Sequence, residues 1–166
     1  MRAVLFPGQG SQYVGMGSDF YNKFDLVKEI FERVDKTLKF SLSNIILKGN
    51  ETELRMTQNT QPAIMTIGVS IFKVLNEKYN FNLNSSKFFA GHSLGEYSAI
   101  ACAGYLDFKD TIQILRIRGD AMQNSVAKGE GGMVAVLGAN IENIEKILIE
   151  NKDNFLVEIA NDNSEG

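Results

Sequence analysis

Apolar positions recur along the chain with two different spacings. Phe20, Phe24, Val27, Ile30, Phe31 and Val34 return at three- and four-residue intervals, which predicts one helix capped by Ser18 or Asp19 and running to residue 38. A short helical patch is expected over 42–47. Ile64, Ile67, Ile71, Val74 and Leu75 form a second stripe, with Pro62 suited to the first turn of that helix. Residues 96–103 read as a helix of small side chains closed by Gly104, and Asp107 caps a further helix to residue 126. Two short β-rich runs, 2–6 and 87–90, each enter a glycine-containing turn; both read as strands, the first as a buried one. Strands alternating with helices indicate an α/β fold with parallel pairing.

The pattern changes at Lys128-Gly129-Glu130-Gly131-Gly132. Beyond it come an expected strand (133–137), a helix (141–151, with Ile144, Ile147 and Leu148 on one face) and another strand (155–159). A subdomain boundary is therefore placed there, dividing the chain into residues 1–127 and 128–166.

Composition narrows the classes. The 166 residues carry 20 acidic against 17 basic side chains, a net charge of −3 without the footprint of a nucleic-acid binder. The longest apolar stretch, 62–75, is interrupted by Thr66, Gly68, Ser70 and Lys73, so no membrane span is expected. The single cysteine, Cys102, is expected to be a packed thiol, and a chain with one cysteine suits the cytoplasm. No metal-ligand spacing is present, so no metal is expected. The single histidine, His92, limits any imidazole-based mechanism to one candidate within these residues.

That histidine sits inside Gly91-His92-Ser93-Leu94-Gly95, the Gly-x-Ser-x-Gly pattern of a nucleophile elbow. With a β-rich run before it and small helical residues after it, the turn lifts the Ser93 hydroxyl to the carboxyl end of the strand. Leu94 then offers a backbone N–H at a helix start, half of an oxyanion hole. The loop Pro7-Gly8-Gln9-Gly10-Ser11-Gln12 is the candidate for the other half, and its spacing matches neither common nucleotide phosphate loop. His92 precedes the serine, where side chains alternate away from the exposed hydroxyl. It is read as a structural hydrogen-bonder rather than the base.

On the helix beginning after Asp107, the most buried stripe is expected to be Phe108, Ile112, Leu115, Gly119 and Met122. Arg116 falls beside Lys109 and Asp120 on a charged flank. Arg118 falls on the other flank among Thr111, Ile114 and Met122, where a bare guanidinium needs an anionic partner: a substrate carboxylate held bidentately, or a carboxylate of the protein itself, unless the side chain simply snorkels to water.

Four segments in order, 4–12, Thr60-Gln61-Pro62-Ala63, 91–99 and Arg116-Ile117-Arg118-Gly119, make the chain resemble the malonyl-CoA:acyl carrier protein transacylases over its whole length, as their N-terminal portion. The resemblance implies that Ser93 takes a malonyl group from coenzyme A as an ester and passes it to the phosphopantetheine thiol of acyl carrier protein, in fatty acid synthesis. It implies Gln9 and Leu94 as the oxyanion-hole N–H donors and Arg118 as the clamp on the malonyl carboxylate. Asn161 and Asn163 match a segment beside the family's pocket, although Glu165 stands where that segment has proline.

The resemblance also implies an incomplete α/β-hydrolase-like parallel-sheet domain over 1–127, followed over 128–166 by the first β-α-β of a ferredoxin-like subdomain. Malonyl-CoA and acyl carrier protein are the implied partners, with no cofactor beyond the coenzyme A thioester substrate, and the full-length protein is expected to be a cytoplasmic monomer. The family's base histidine has no counterpart here, so the 166 residues alone are expected to transfer poorly. Two alternatives are a lipase- or esterase-like serine hydrolase built on the same elbow, and a non-catalytic remnant. Lys109, Arg116 and Lys128 are weak candidates for a patch that receives the acidic carrier protein.

Overall fold

In the computed structural model, residues 1–126 and 130–163 are described. The predicted hinge residues Lys128 and Gly129, and Ser164, Glu165 and Gly166 at the end, lie outside them. The elements in order are β1 (Ala3–Phe6), α1 (Ser18–Lys23), α2 (Asp25–Leu38), α3 (Leu42–Lys48), α4 (Glu51–Leu54), α5 (Thr57–Tyr79), a 3-10 turn (Leu83–Ser85), β2 (Phe88–Gly91), α6 (Leu94–Cys102), α7 (Phe108–Gln123) and α8 (Ile141–Glu150). They divide into two units, Met1–Lys128 and Gly129–Gly166.

In the first unit β1 and β2 pair in parallel, Ala3 opposite Phe88 and Phe6 opposite Gly91. The ladder continues at both ends, through Lys87 N–H to Arg2 O and His92 N–H to Phe6 O. Strand alternation sends Phe6 inward, where it packs with Phe72 and Ala99, while Leu5 stays 75% exposed on the opposite face. The main core lies among the helices: Leu42, Ile46, Leu54, Met65, Leu94 and Leu115 are fully buried. Val27, Ile30, Phe31 and Val34 form the buried stripe that their spacing predicts.

Several expectations are corrected. The single helix over 18–38 is two, broken at Phe24, whose extended backbone (φ −125°, ψ 117°) cannot continue a helix. Its ring packs edge-on to Tyr79 and against Phe20, which anchors the break. Gly17, not Ser18 or Asp19, holds the cap position of α1. Pro62 lies inside α5 rather than in its first turn. Asp107 does cap α7, accepting from the Lys109 and Asp110 N–H groups. Within that helix Ile112, Leu115 and Gly119 are buried, but Met122 is 42% exposed: it lies in the last turn, where its sulfur reaches Gln61 of α5 while the rest of the side chain stays at the surface.

In the second unit α8 forms, with the Asn140 side chain accepting from Glu142 N–H, but Ile147 is exposed and Ile141, Ile144 and Leu148 make the partly covered stripe. The strands expected at 133–137 and 155–159 are not formed among the described residues. A strand exists only when a neighbour accepts its ladder hydrogen bonds, and neither apolar run has such a neighbour here; Leu137 and Leu156 are almost fully exposed.

Candidate active site

The turn between β2 and α6 carries Ser93 in a backbone conformation that non-glycine residues rarely adopt, φ 54° and ψ −110°. Two glycines make the turn possible. A Cβ on Gly91 would run into the backbone of Gly95, and a Cβ on Gly95 would run into the carbonyl oxygen of Phe6. The strand, the turn and the helix therefore close to backbone contact, and Ser93 sits at the N-terminus of α6 immediately before Leu94. The Leu94 side chain is fully buried and roots that end of the helix in the core.

The register of the sheet sets what stands beside the turn. Phe6 ends β1 opposite Gly91, so the loop 7–12 leaves the sheet at the same end as the elbow. Gly10 N–H donates to Gln12 Oε1 at 2.8 Å, and Ser11 Oγ donates to Gly8 O at 2.9 Å, which folds the loop on itself with Gln9 at its exposed tip. His92 packs on this loop: a Cβ placed on Gly8 would lie 2.6 Å from its Nδ1.

Arg118 reaches Ser93 from α7. Its Nη2 donates to Ser93 Oγ at 3.0 Å, and its Nη1 donates to Gln61 Oε1 at 2.6 Å. The guanidinium carbon lies 5.6 Å from the centroid of the Tyr97 ring. Among the described residues Arg118 has no carboxylate partner, so neutral groups alone hold a partly buried cation beside the serine. This arrangement supplies a nucleophile and an unneutralised positive charge within one hydrogen bond of each other. A substrate with a carboxylate near its electrophilic carbon matches both.

The structure thus brings Ser93, Leu94, Arg118 and the Gln9 loop to one end of the first unit. Asn161 and Asn163 are exposed residues of the second unit outside regular structure. Gln61 and Tyr97 are site residues that the pattern reading did not single out. Gln61 is fully buried, and its Nε2 donates to Met122 Sδ at 3.2 Å while Oε1 receives Arg118. A glutamine directly before a proline, at the head of the longest apolar stretch of the chain, is the available signal. Cys102, on α6, is partly buried, and that burial pushes its thiol from 9.0 up to about 12. No helix among the described residues is long and apolar enough to cross a membrane, and they hold no cluster of three or more metal-ligating side chains.

Comparison with known proteins bears on this geometry. Residues 4–165 match the family model described as "Acyl transferase domain". The chain is 41% identical over 165 residues to the malonyl CoA-acyl carrier protein transacylase of Bacillus subtilis (strain 168), covering 99% of this chain and 51% of the relative. It is 38% identical to the enzyme of the same name from Escherichia coli (strain K12), again over 99% of this chain and 52% of the relative. Among solved structures, the acyl-carrier-protein-S-malonyltransferase from Bartonella henselae superposes with a TM-score of 0.91 at 43% identity, over 98% of this chain and 52% of that one. A malonyl-transacylase in complex with its type II PKS acyl-carrier protein superposes at 0.83 and 40% identity, over 89% and 47% of the two chains. The chain spans about half the length of the curated relatives it matches. With a family match over nearly its whole length, a parallel two-stranded α/β sheet and a serine at the strand-to-helix turn, the chain belongs to the acyl transferase domain family.

Proposed function

We propose that the protein transfers a malonyl group from coenzyme A to the phosphopantetheine thiol of acyl carrier protein, through an ester on Ser93, in fatty acid synthesis. The observation that carries this reading is the Arg118–Ser93 hydrogen bond at 3.0 Å, made by a cation that has no acidic partner among the described residues. In the resting site the guanidinium spends its Nη2 hydrogen on the serine. A malonyl carboxylate takes the guanidinium over, and the thioester carbonyl is thereby held at the serine oxygen. Attack by Oγ forms the tetrahedral intermediate, and backbone N–H groups of Gln9 and Leu94 receive its oxyanion, helped by the N-terminal dipole of α6. Collapse expels the coenzyme A thiol and leaves malonyl-Ser93. The phosphopantetheine thiol then attacks the same carbonyl and leaves with the malonyl group.

The proton of Ser93 needs a base. His92 lies against Gly8 rather than on Ser93, so we assign the base to the half of the relatives' length that this chain does not cover. In the same reading the first unit is part of an α/β-hydrolase-like domain, and residues 130–163 are the start of a ferredoxin-like subdomain. That assignment accounts for the unformed ladder. In a split β-α-β the two strands each pair with a strand inserted between them, not with each other. Asn161 and Asn163 would then flank the acyl pocket, and the full-length protein would act as a cytoplasmic monomer without a cofactor.

The test is acyl-enzyme formation with radiolabelled malonyl-CoA on a full-length transferase carrying this chain as its N-terminal half. Stoichiometric label that is stable to gel filtration and absent from Ser93→Ala is the expected result. Label retained by Ser93→Ala would remove the assignment.

A further inference from the structure

Pro62 is the sixth residue of α5 and has no N–H to give to the carbonyl of Gln58, one turn earlier. That carbonyl nevertheless has a donor, and the donor comes from another helix. Arg116 Nη1 of α7 donates to Gln58 O at 3.2 Å and to Asn59 Oδ1 at 2.6 Å. The rest of the arginine is fixed as well: Nε lies 3.3 Å from Asp120 Oδ2, and the guanidinium carbon lies 4.9 Å from the centroid of Phe40. Asn59 is itself buried and anchored through Nδ2 to Glu53 O at 2.9 Å.

The two helices touch at backbone distance where this happens. A Cβ on Gly119 would lie 2.5 Å from Gln58 Cα, so only glycine allows α7 to bring Arg116 to the exposed carbonyl. Two residues beyond Arg116, on the other flank of α7, Arg118 takes Gln61 and Ser93. One turn of α5, residues 58–61, is therefore gripped by two arginines of α7: one holds the backbone that the proline leaves short of a donor, and the other uses the side chain immediately before that proline.

We infer that Arg116 is a positioning residue for the acyl-carboxylate clamp: it replaces the helical hydrogen bond that Pro62 removes and thereby fixes Gln61, which fixes Arg118. The inference rests on the proposed role of Arg118. A turn with its carbonyl unpaired would relax toward water or a neighbouring donor, and Gln61 Oε1 would move with it. Displacement by a fraction of an ångström at Arg118 disturbs its hydrogen bond to Ser93 slightly for every acyl group but weighs most on substrates that bind the guanidinium, so the effect of losing Arg116 is larger for acyl groups bearing a carboxylate.

The experiment compares malonyl-CoA and acetyl-CoA in a full-length transferase carrying this chain. Arg116→Ala is expected to lower malonyl kcat/KM about tenfold, chiefly through KM, while slow acetyl transfer changes by less than about threefold. The decisive comparison repeats Arg116→Ala in a Pro62→Ala background, where residue 62 regains an N–H and can satisfy Gln58 O within the helix. There the malonyl-specific loss is expected to shrink to about threefold or less. An equal loss for both acyl groups, or a loss undiminished by Pro62→Ala, would overturn the inference. Should Arg116→Ala fail to fold, Arg116→Lys, which keeps the charge beside Asp120 but loses the planar fork, carries the same four-way comparison. Arg118→Ala in the same assay separates the two ideas. If it abolishes malonyl preference while Arg116→Ala does not, the positioning role alone falls; if it leaves the preference intact, the clamp reading fails and takes this inference with it.

Discussion

Gln61 accepts the Arg118 guanidinium at 2.6 Å while being fully buried, and the same guanidinium reaches Ser93 Oγ at 3.0 Å. The guanidinium is thus held at Ser93 by a neutral amide oxygen, which orients the cation without neutralising it; on the proposed reading this is a carboxylate clamp set in place before any acyl group arrives. A carboxylate at the Gln61 position would satisfy Arg118 and leave it nothing to offer a substrate.

Arg118→Ala should therefore cost malonyl transfer about 10–100-fold, the equivalent of a charge-assisted hydrogen bond worth about 1.5–3 kcal/mol. Acetyl transfer should rise or stay level. Parallel kcat/KM measurements with the two thioesters check this. A variant that hydrolysed neutral esters as well as the parent would instead favour an esterase.

Gln61→Glu should neutralise the clamp in place. Malonyl KM is expected to rise by about tenfold at neutral pH, since a paired guanidinium must be released before it can bind the substrate. Lowering the pH toward the carboxylate range should protonate the introduced carboxyl and recover part of the loss, so a KM profile against pH separates this from simple misfolding.

Gly95→Ala should destabilise the first unit by about 1–3 kcal/mol or more, because its methyl would meet the Phe6 carbonyl at the junction of β1 and α6. Thermal unfolding followed by circular dichroism is the measurement. A melting temperature equal to the parent's would mean that the elbow is looser than its geometry indicates.

Cys102 should resist alkylation in the folded protein. Its thiol is raised to about 12 by burial, so below that pH the folded state keeps it protonated, and iodoacetamide at pH 8 should react many times faster after denaturation. The sign for stability follows. The unfolded thiol ionises from about 9 and the folded thiol only near 12, so this group costs nothing below pH 9 and erodes stability progressively between those values. Cys102→Ser should flatten that alkaline decline.

What was legible in the chain was local. The Gly91-x-Ser93-x-Gly95 turn, the Asp107 cap and the Val27–Val34 stripe each depend on residues within a turn or two of one another, and each forms as its spacing indicates. What depended on distant partners was not. Pro62 lies inside α5, and the carbonyl it leaves without a helical donor is met by an arginine 58 residues away in sequence from Gln58. The break at Phe24 is set by packing on Tyr79, far along the chain. The apolar runs 133–137 and 155–159 have the composition of strands, yet a strand needs a neighbour, and composition does not say which segment provides it. The site divides in the same way: Ser93 and Leu94 followed from one pentapeptide, whereas the Gln61–Arg118 pairing needed the packing of α5 on α7.

The parallel pairing of β1 with β2 also has a temporal side. The turn that carries Ser93 follows the pairing of residue 6 with residue 91, and five helices are spelled out between those two. On a ribosome adding about 5–20 residues per second, β1 leaves the exit tunnel several seconds before its partner exists. During that interval Leu5 and Phe6 belong to an unpaired apolar strand, and the loop 7–12 has no elbow turn to pack against. Assembly of the site is thus a late, long-range event, since residues 3–6 can close on residues 88–91 only after everything between them has been made. Synthesis speed and chaperone access over the first hundred residues are then expected to govern the yield of active protein more strongly than the stability of the finished fold.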